Sequence, residues 1–123
     1  MAYIVEETAG KDDLMPKGSH LGEFEQYVLA ALLRLRDNAY GVTIRREIAE
    51  RTGRDVAIGA VYATLDRLER KGFVSSRAGE PTPERGGRAK RYFKIEGPGI
   101  RALNESYWMS DRMRDGLAVP VGV

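Results

Sequence analysis

The chain has no cysteine and a single histidine, His20. A disulfide framework, a thiolate zinc site and a cysteine nucleophile are thereby excluded, and one imidazole cannot assemble a metal centre by itself. Long apolar runs are lacking as well. The longest, Tyr27 to Leu33, falls far short of the roughly 20 residues that a helix needs to cross a bilayer, so no membrane partner is expected. The opening Met1 to Glu7 has neither the basic start nor the apolar stretch of a secretory signal, and a cytoplasmic location is expected. Aromatic residues make up 8%, and no strand is rich enough in them to form the stacking platform on which many proteins splay RNA bases.

What is present is a normal apolar fraction, 42% over 123 residues, enough for one core and an accessory helix but not for two independent domains. Net charge is only +2, yet it is unevenly spread. From Arg51 to Lys94 there are eleven Lys or Arg against five Asp or Glu, a balance of +6 that leaves −4 elsewhere. Such asymmetry suggests that the second half faces a polyanion, although a solvated basic surface alone would look the same.

Residues 1 to about 20 carry mixed charge, Gly10, Pro16 and Gly18, and no sustained period, and so read as an arm. From Gly22 to about Arg36, Phe24, Val28, Leu32 and Leu35 fall on one helical stripe. Asp37 to Gly41 supplies a turn, and Val42, Ile44, Ile48 and Ala49 predict a second helix stopped by Gly53. Val61, Leu65 and Leu68 predict a third that ends at Lys71-Gly72. Two strand-like runs, Phe73 to Ala78 and Arg88 to Ile95, flank a loop rich in glycine and proline. Gly97 as N-cap and Pro98 at the first helical position then open a last helix, with Ile100, Leu103 and Tyr107 on its stripe, that ends by Gly116. The expected organisation is an arm at 1–20, a helical and hairpin domain at 21–97, a dimerisation helix at 98–115 and a loose tail at 116–123.

Three helices followed by a hairpin is the order of a winged helix-turn-helix, in which the third helix enters the major groove of duplex DNA. The fold class is therefore mainly α with a small β-hairpin, flanked by N- and C-terminal helices that form a dimer. A reading helix needs one apolar stripe to anchor it and one face of small or hydrogen-bonding groups that lets the backbone approach base edges. Opposite the apolar stripe lie Gly59, Ala60, Ala63, Thr64, Arg67 and Lys71, with Tyr62 at the flank. In an isolated helix these would be ordinary surface residues. The wing supplies the context, because Arg85, Arg88 and Lys90 can reach phosphates beside glycines that permit close approach. Strand alternation puts Arg91 on the other face with Phe93.

These stretches resemble the PadR family of bacterial transcriptional regulators, from about Leu21 to Asn104. The likeness is carried by Tyr40-Gly41-Val42-Thr43-Ile44, by the run from Gly59 to Val74, and by the run from Gly87 to Ile95 followed by Gly97. The resemblance implies a repressor-like homodimer on a roughly palindromic operator, released in many members by a small-molecule effector or another signal. It matches Tyr62 and Thr64 to groove-facing positions and Arg88 and Lys90 to basic wing positions. Many relatives carry a multi-helix dimerisation domain where this sequence shows one helix of about four turns, as in compact members.

Dimerisation is expected through Ile100, Leu103, Tyr107 and Trp108 of the last helix against Phe24, Tyr27 and Val28 of the first. The soft cluster of Tyr107, Trp108, Met109 and Met113 suits a partner helix better than a ligand pocket. No catalytic residue emerges. Glu6, Glu7, Asp12 and Asp13 lie in the arm without partners to fix their geometry, and no nucleophile-base pair or phosphate-cradling glycine loop is recognisable. Neither an enzyme nor a cofactor is expected. The other reading is a winged-helix protein-interaction module that has lost DNA binding, against which the +6 segment argues.

Overall fold

A computed structural model describes residues 20–80 and 89–120. The arm, apart from His20, and the wing positions Arg85 and Arg88 lie outside the described residues, as do residues 121–123. The elements run α1 (Glu23–Leu35), α2 (Gly41–Thr52), α3 (Ile58–Arg70), β1 (Val74–Ala78), β2 (Arg91–Ile95) and α4 (Gly97–Arg114), with one 3-10 turn at Arg36–Asn38 after α1.

Several helix boundaries have a local cause. The Glu25 carboxylate reaches back to accept the Gly22 N–H at 2.9 Å at the start of α1, half of a capping box. At the start of α2 the Thr43 hydroxyl accepts the Tyr40 N–H at 3.0 Å and donates to the Asn38 carbonyl at 2.6 Å. Gly53, at φ 74°, ends α2 in the left-handed conformation that favours glycine. Past α3, Gly72 is likewise at φ 78°, and the Phe73 N–H reaches the Leu68 carbonyl at 2.9 Å, closing the turn into β1. Pro98 stands in the first turn of α4, but the cap is Glu96, one residue before the expected Gly97.

The antiparallel hairpin pairs Val74 with Ile95, Ser76 with Phe93 and Ala78 with Arg91. Its second strand begins at Arg91, three residues later than the sequence pattern suggested. The other edge of β2 is bridged by Tyr40, and the Phe93 N–H donates to the Ala39 carbonyl at 2.9 Å. The wing is thus fastened to the turn that opens α2.

One core runs through all six elements, with Val28, Leu29, Ile44, Val61, Leu65 and Leu68 shut off from solvent. Two residues expected at a dimer seam belong to it: Val28 is 0% exposed and Leu103 is 3% exposed. Both pack inside their own chain because α4 turns Gly99, Ala102, Leu103 and Ser106 inward. Gly99 lets α4 sit that close, since a Cβ there would overlap the Phe73 carbonyl oxygen. The inward stripe of α4 is therefore made largely of small residues, not of Ile100, Leu103 and Tyr107 together.

Candidate nucleic-acid interface

α3 buries Val61, Thr64, Leu65 and Leu68 and leaves Gly59, Ala60, Tyr62, Ala63, Asp66, Arg67 and Arg70 exposed. Ala60, Ala63 and Tyr62 thus share the solvent side, Tyr62 at 42% exposure. Thr64 does not. Expected on the groove face, it is 2% exposed, one helical step off that face and between Val61 and Leu68, and its hydroxyl accepts a hydrogen bond from Arg67 Nη2 at 3.1 Å.

Arg67 is also held from beneath, its Nε 3.8 Å from the Glu25 carboxylate. Glu25 takes Lys71 Nζ at 3.1 Å as well, so the start of α1 clamps the end of α3. Burial pushes the Glu25 carboxyl toward the neutral form, but the Gly22 N–H, Lys71 and Arg67 together outweigh this and hold it below the ordinary carboxylate value.

Tyr62 leans across to α2, where a Cβ on Gly41 would overlap its phenol. The glycine of the Tyr40-Gly41 pair thus makes room for the tyrosine of α3. Next to it the wing base is a stack. Lys90 Nζ lies 4.5 Å from the Tyr40 ring centroid, Tyr40 meets Tyr92 edge to face at 5.4 Å, and Arg77 covers Tyr92 at 4.7 Å. Lys90 also donates to the Tyr40 hydroxyl at 3.4 Å. Its ammonium therefore stands at the junction of the wing and the start of α2.

On the opposite face of the hairpin Arg91 donates to Glu69 at 2.8 Å and to the Ser76 hydroxyl at 3.1 Å, while Ser76 donates to Glu69 at 2.8 Å. This triangle joins both strands to α3. Arg91 has a carboxylate partner, which Lys90 does not have among the described residues.

The remaining seam candidates divide. Phe24, Tyr27 and Tyr107 are half-buried against the core, and burial raises the Tyr107 phenol above its ordinary value. Ile100 and Trp108, each 37% exposed, face outward. Glu25, Gly41, Glu69 and the Tyr40–Tyr92 contact were not singled out from the sequence. Only the Tyr40-Gly41 pair left a local trace, since the other partners lie far apart along the chain. Among the described residues no group of acidic or histidine side chains could hold a metal ion, and no helix is long and apolar enough to span a membrane.

The profile of the "Transcriptional regulator PadR-like family" matches residues 28–105. No curated protein matches the chain. Among solved structures, a PadR family transcription regulator from hypervirulent Clostridium difficile is similar at 22% identity, covering 76% of this chain and 92% of that one, with a TM-score of 0.61. RosR from H. salinarum is similar at 23% identity, with coverage of 80% and 81% and a TM-score of 0.61. A PadR family regulator from Eggerthella lenta follows at 25% identity, with coverage of 77% and 82% and a TM-score of 0.59.

Proposed function

This chain belongs to the PadR-like family of transcriptional regulators, and from that premise we propose that it is a homodimeric, cytoplasmic repressor that binds a roughly palindromic DNA operator. The observation that supports this reading most is the outward face of α3. Gly59, Ala60 and Ala63 present almost no side chain to solvent there, Tyr62 stands beside them, and Lys90 projects at the adjoining wing base. A helix must be low on one face to sit in the major groove, and cations beside it neutralise the flanking phosphates.

In this arrangement α3 reads base edges through Tyr62 and through backbone approach at Ala60 and Ala63, with the methyl groups available to thymine. Lys90, together with Arg85 and Arg88 of the wing, holds phosphates. Arg67 serves first as a strut, because Glu25 and Thr64 already engage it. One module covers a half-site, so two copies related by a two-fold axis are required, joined through the outward side of α4 at Ile100 and Trp108 with Phe24, Tyr27 and Tyr107 at the margin. A small-molecule effector fits this role as the release signal.

Selection of bound duplexes from a random pool tests the reading. It returns a two-fold symmetric consensus, and the affinity for that consensus falls with salt at a log-log slope of roughly −5 to −7, as about 6 to 8 neutralised phosphates would give. Lys90→Ala shallows the slope by about one unit per subunit without changing the consensus. Absence of any enriched sequence, or a slope near zero, would sink the proposal.

A further inference from the structure

A groove of about 650 Å³ runs between the end of α1 and the two strands of the hairpin. Its volume lies within the range of small-molecule sites, roughly 300 to 1,000 Å³. Leu33 and Ile95 give it apolar walls, and Arg36, Arg77 and Lys94 stand against one acid, Asp37. Lys94 is only loosely neutralised by Glu96, at 3.8 Å. Neither Arg36 nor Arg77 has a carboxylate partner among the described residues, and Arg77 rests on the Tyr92 ring.

The backbone of Arg36 is the second observation. At φ 54° and ψ −116° it is the one non-glycine residue with positive φ among those described. A β-carbon there costs free energy that glycine would avoid, and no ion pair of Arg36 among the described residues offsets it. Among the described residues the segment therefore holds a guanidinium without an ion-pair partner in the lining of a groove with apolar walls.

We propose that this groove is a binding site for an amphiphilic organic anion, a carboxylate or sulfonate carrying an apolar body. The body lies along Leu33 and Ile95 and displaces water from them. The anionic head takes charge-assisted hydrogen bonds from Arg36 and Arg77, whose forked donors match the oxygens of such a group. A neutral ligand would take no charge-assisted hydrogen bond from either exposed guanidinium, and Asp37 alone is outnumbered as a partner for a cation. The site is separate from the groove face of α3, so its occupancy is measured without DNA.

The test uses the full chain and the fluorescence of 1-anilinonaphthalene-8-sulfonate, with decanoate and decanol as competitors. Saturable enhancement is expected, displaced by decanoate and much less by decanol. Arg36→Gln and Arg77→Gln each weaken the affinity by about tenfold, the loss of one charge-assisted contact, whereas Arg101→Gln, which removes the same charge from exposed α4, leaves it unchanged. Arg36→Gly relieves the positive φ and keeps the fold while losing the same affinity. Equal weakening by Arg101→Gln, equal displacement by decanol, or loss of signal in Trp108→Leu with Arg36→Gln unaffected would each overturn the assignment. So would an affinity that tracks protein concentration, which would give the groove to a second copy of the chain.

Discussion

α3 and α4 bury opposite kinds of residue. α3 turns Val61, Leu65 and Leu68 inward and leaves Gly59, Ala60 and Ala63 outside with Ile58 and Tyr62 at 36% and 42% exposure, whereas α4 turns Gly99, Ala102 and Ser106 inward beside Leu103 and leaves Ile100, Trp108 and Met113 outside. The fastenings differ in the same sense. α3 is held by core packing and, at its end, by ions gathered on Glu25, while α4 lies so close to the hairpin that Gly99 touches the Phe73 carbonyl. A helix with a low outer face suits a hydrated, charged groove, and one with large apolar groups outside suits another apolar surface. On the function proposed above, the two helices would thus meet different partners, duplex DNA for α3 and a second copy for α4.

The largest effect should come from Leu103, which the sequence assigned to a seam and the structure places in the core. Leu103→Ala should cost about 2 to 5 kcal/mol of unfolding free energy at every protein concentration, as measured by urea denaturation. Trp108→Ala should instead halve the mass seen by light scattering at micromolar concentration and lower the melting temperature only where the parent chain is associated. If Trp108→Ala also destabilised the dilute chain by several kcal/mol, the outer side of α4 would be a cap on its own domain and the contrast with α3 would fail.

How much of this could be read from the sequence depends on the range of the interaction. The three-helix and hairpin order followed from periods of apolar residues and from stops such as Gly53 and Gly72, because those signals are local. The exposure of Ala60, Ala63 and Tyr62 was legible and that of Thr64 was misread, where a polar residue one step from the apolar stripe looked exposed. Its burial depends on Arg67 to satisfy the hydroxyl, and nothing in the spacing announces that pair. Glu25 was invisible for the same reason, since its partner Lys71 is 46 residues away. For α4 the stripe of Ile100, Leu103 and Tyr107 was assigned as a whole to a dimer seam. Leu103 is buried in its own chain beside the small Gly99, Ala102 and Ser106, where α4 comes close to the Phe73 backbone.

A smaller effect separates the ionic fastening of α3 from the steric one of α4. Folding lowers the Glu25 carboxyl below its ordinary value of 4.5. Its contribution to stability is therefore fully present above that value and is lost as pH falls through the folded one. The midpoint of urea unfolding should drop on acidification from neutral pH, and Glu25→Gln should flatten part of that drop while starting from lower stability. Because Lys71 and Arg67 lose their shared anion, the variant should also weaken DNA binding more than it weakens the fold of α4. An unchanged acid profile in Glu25→Gln would remove the carboxylate from the fastening of α3.

The smallest change in stability should come from two methyl groups added at equivalent points, one beside each helix. At Gly99 the new Cβ would strike the Phe73 carbonyl, a backbone atom that cannot step aside, so α4 must shift at a cost of about 1 to 3 kcal/mol. At Gly41 it would strike the Tyr62 phenol, the far end of a side chain already 42% exposed. The ring can swing outward, and alanine in place of glycine within a helix returns up to about 1 kcal/mol, so Gly41→Ala should leave the melting temperature nearly unchanged. Its effect should appear in DNA binding, because the displaced ring loses its place beside Ala63. A calorimetric melt paired with a titration of the selected operator decides the matter: near-parental stability with weakened operator affinity makes Tyr62 a groove residue positioned by Gly41. Parental affinity with the ring displaced would show that α3 reads DNA without it.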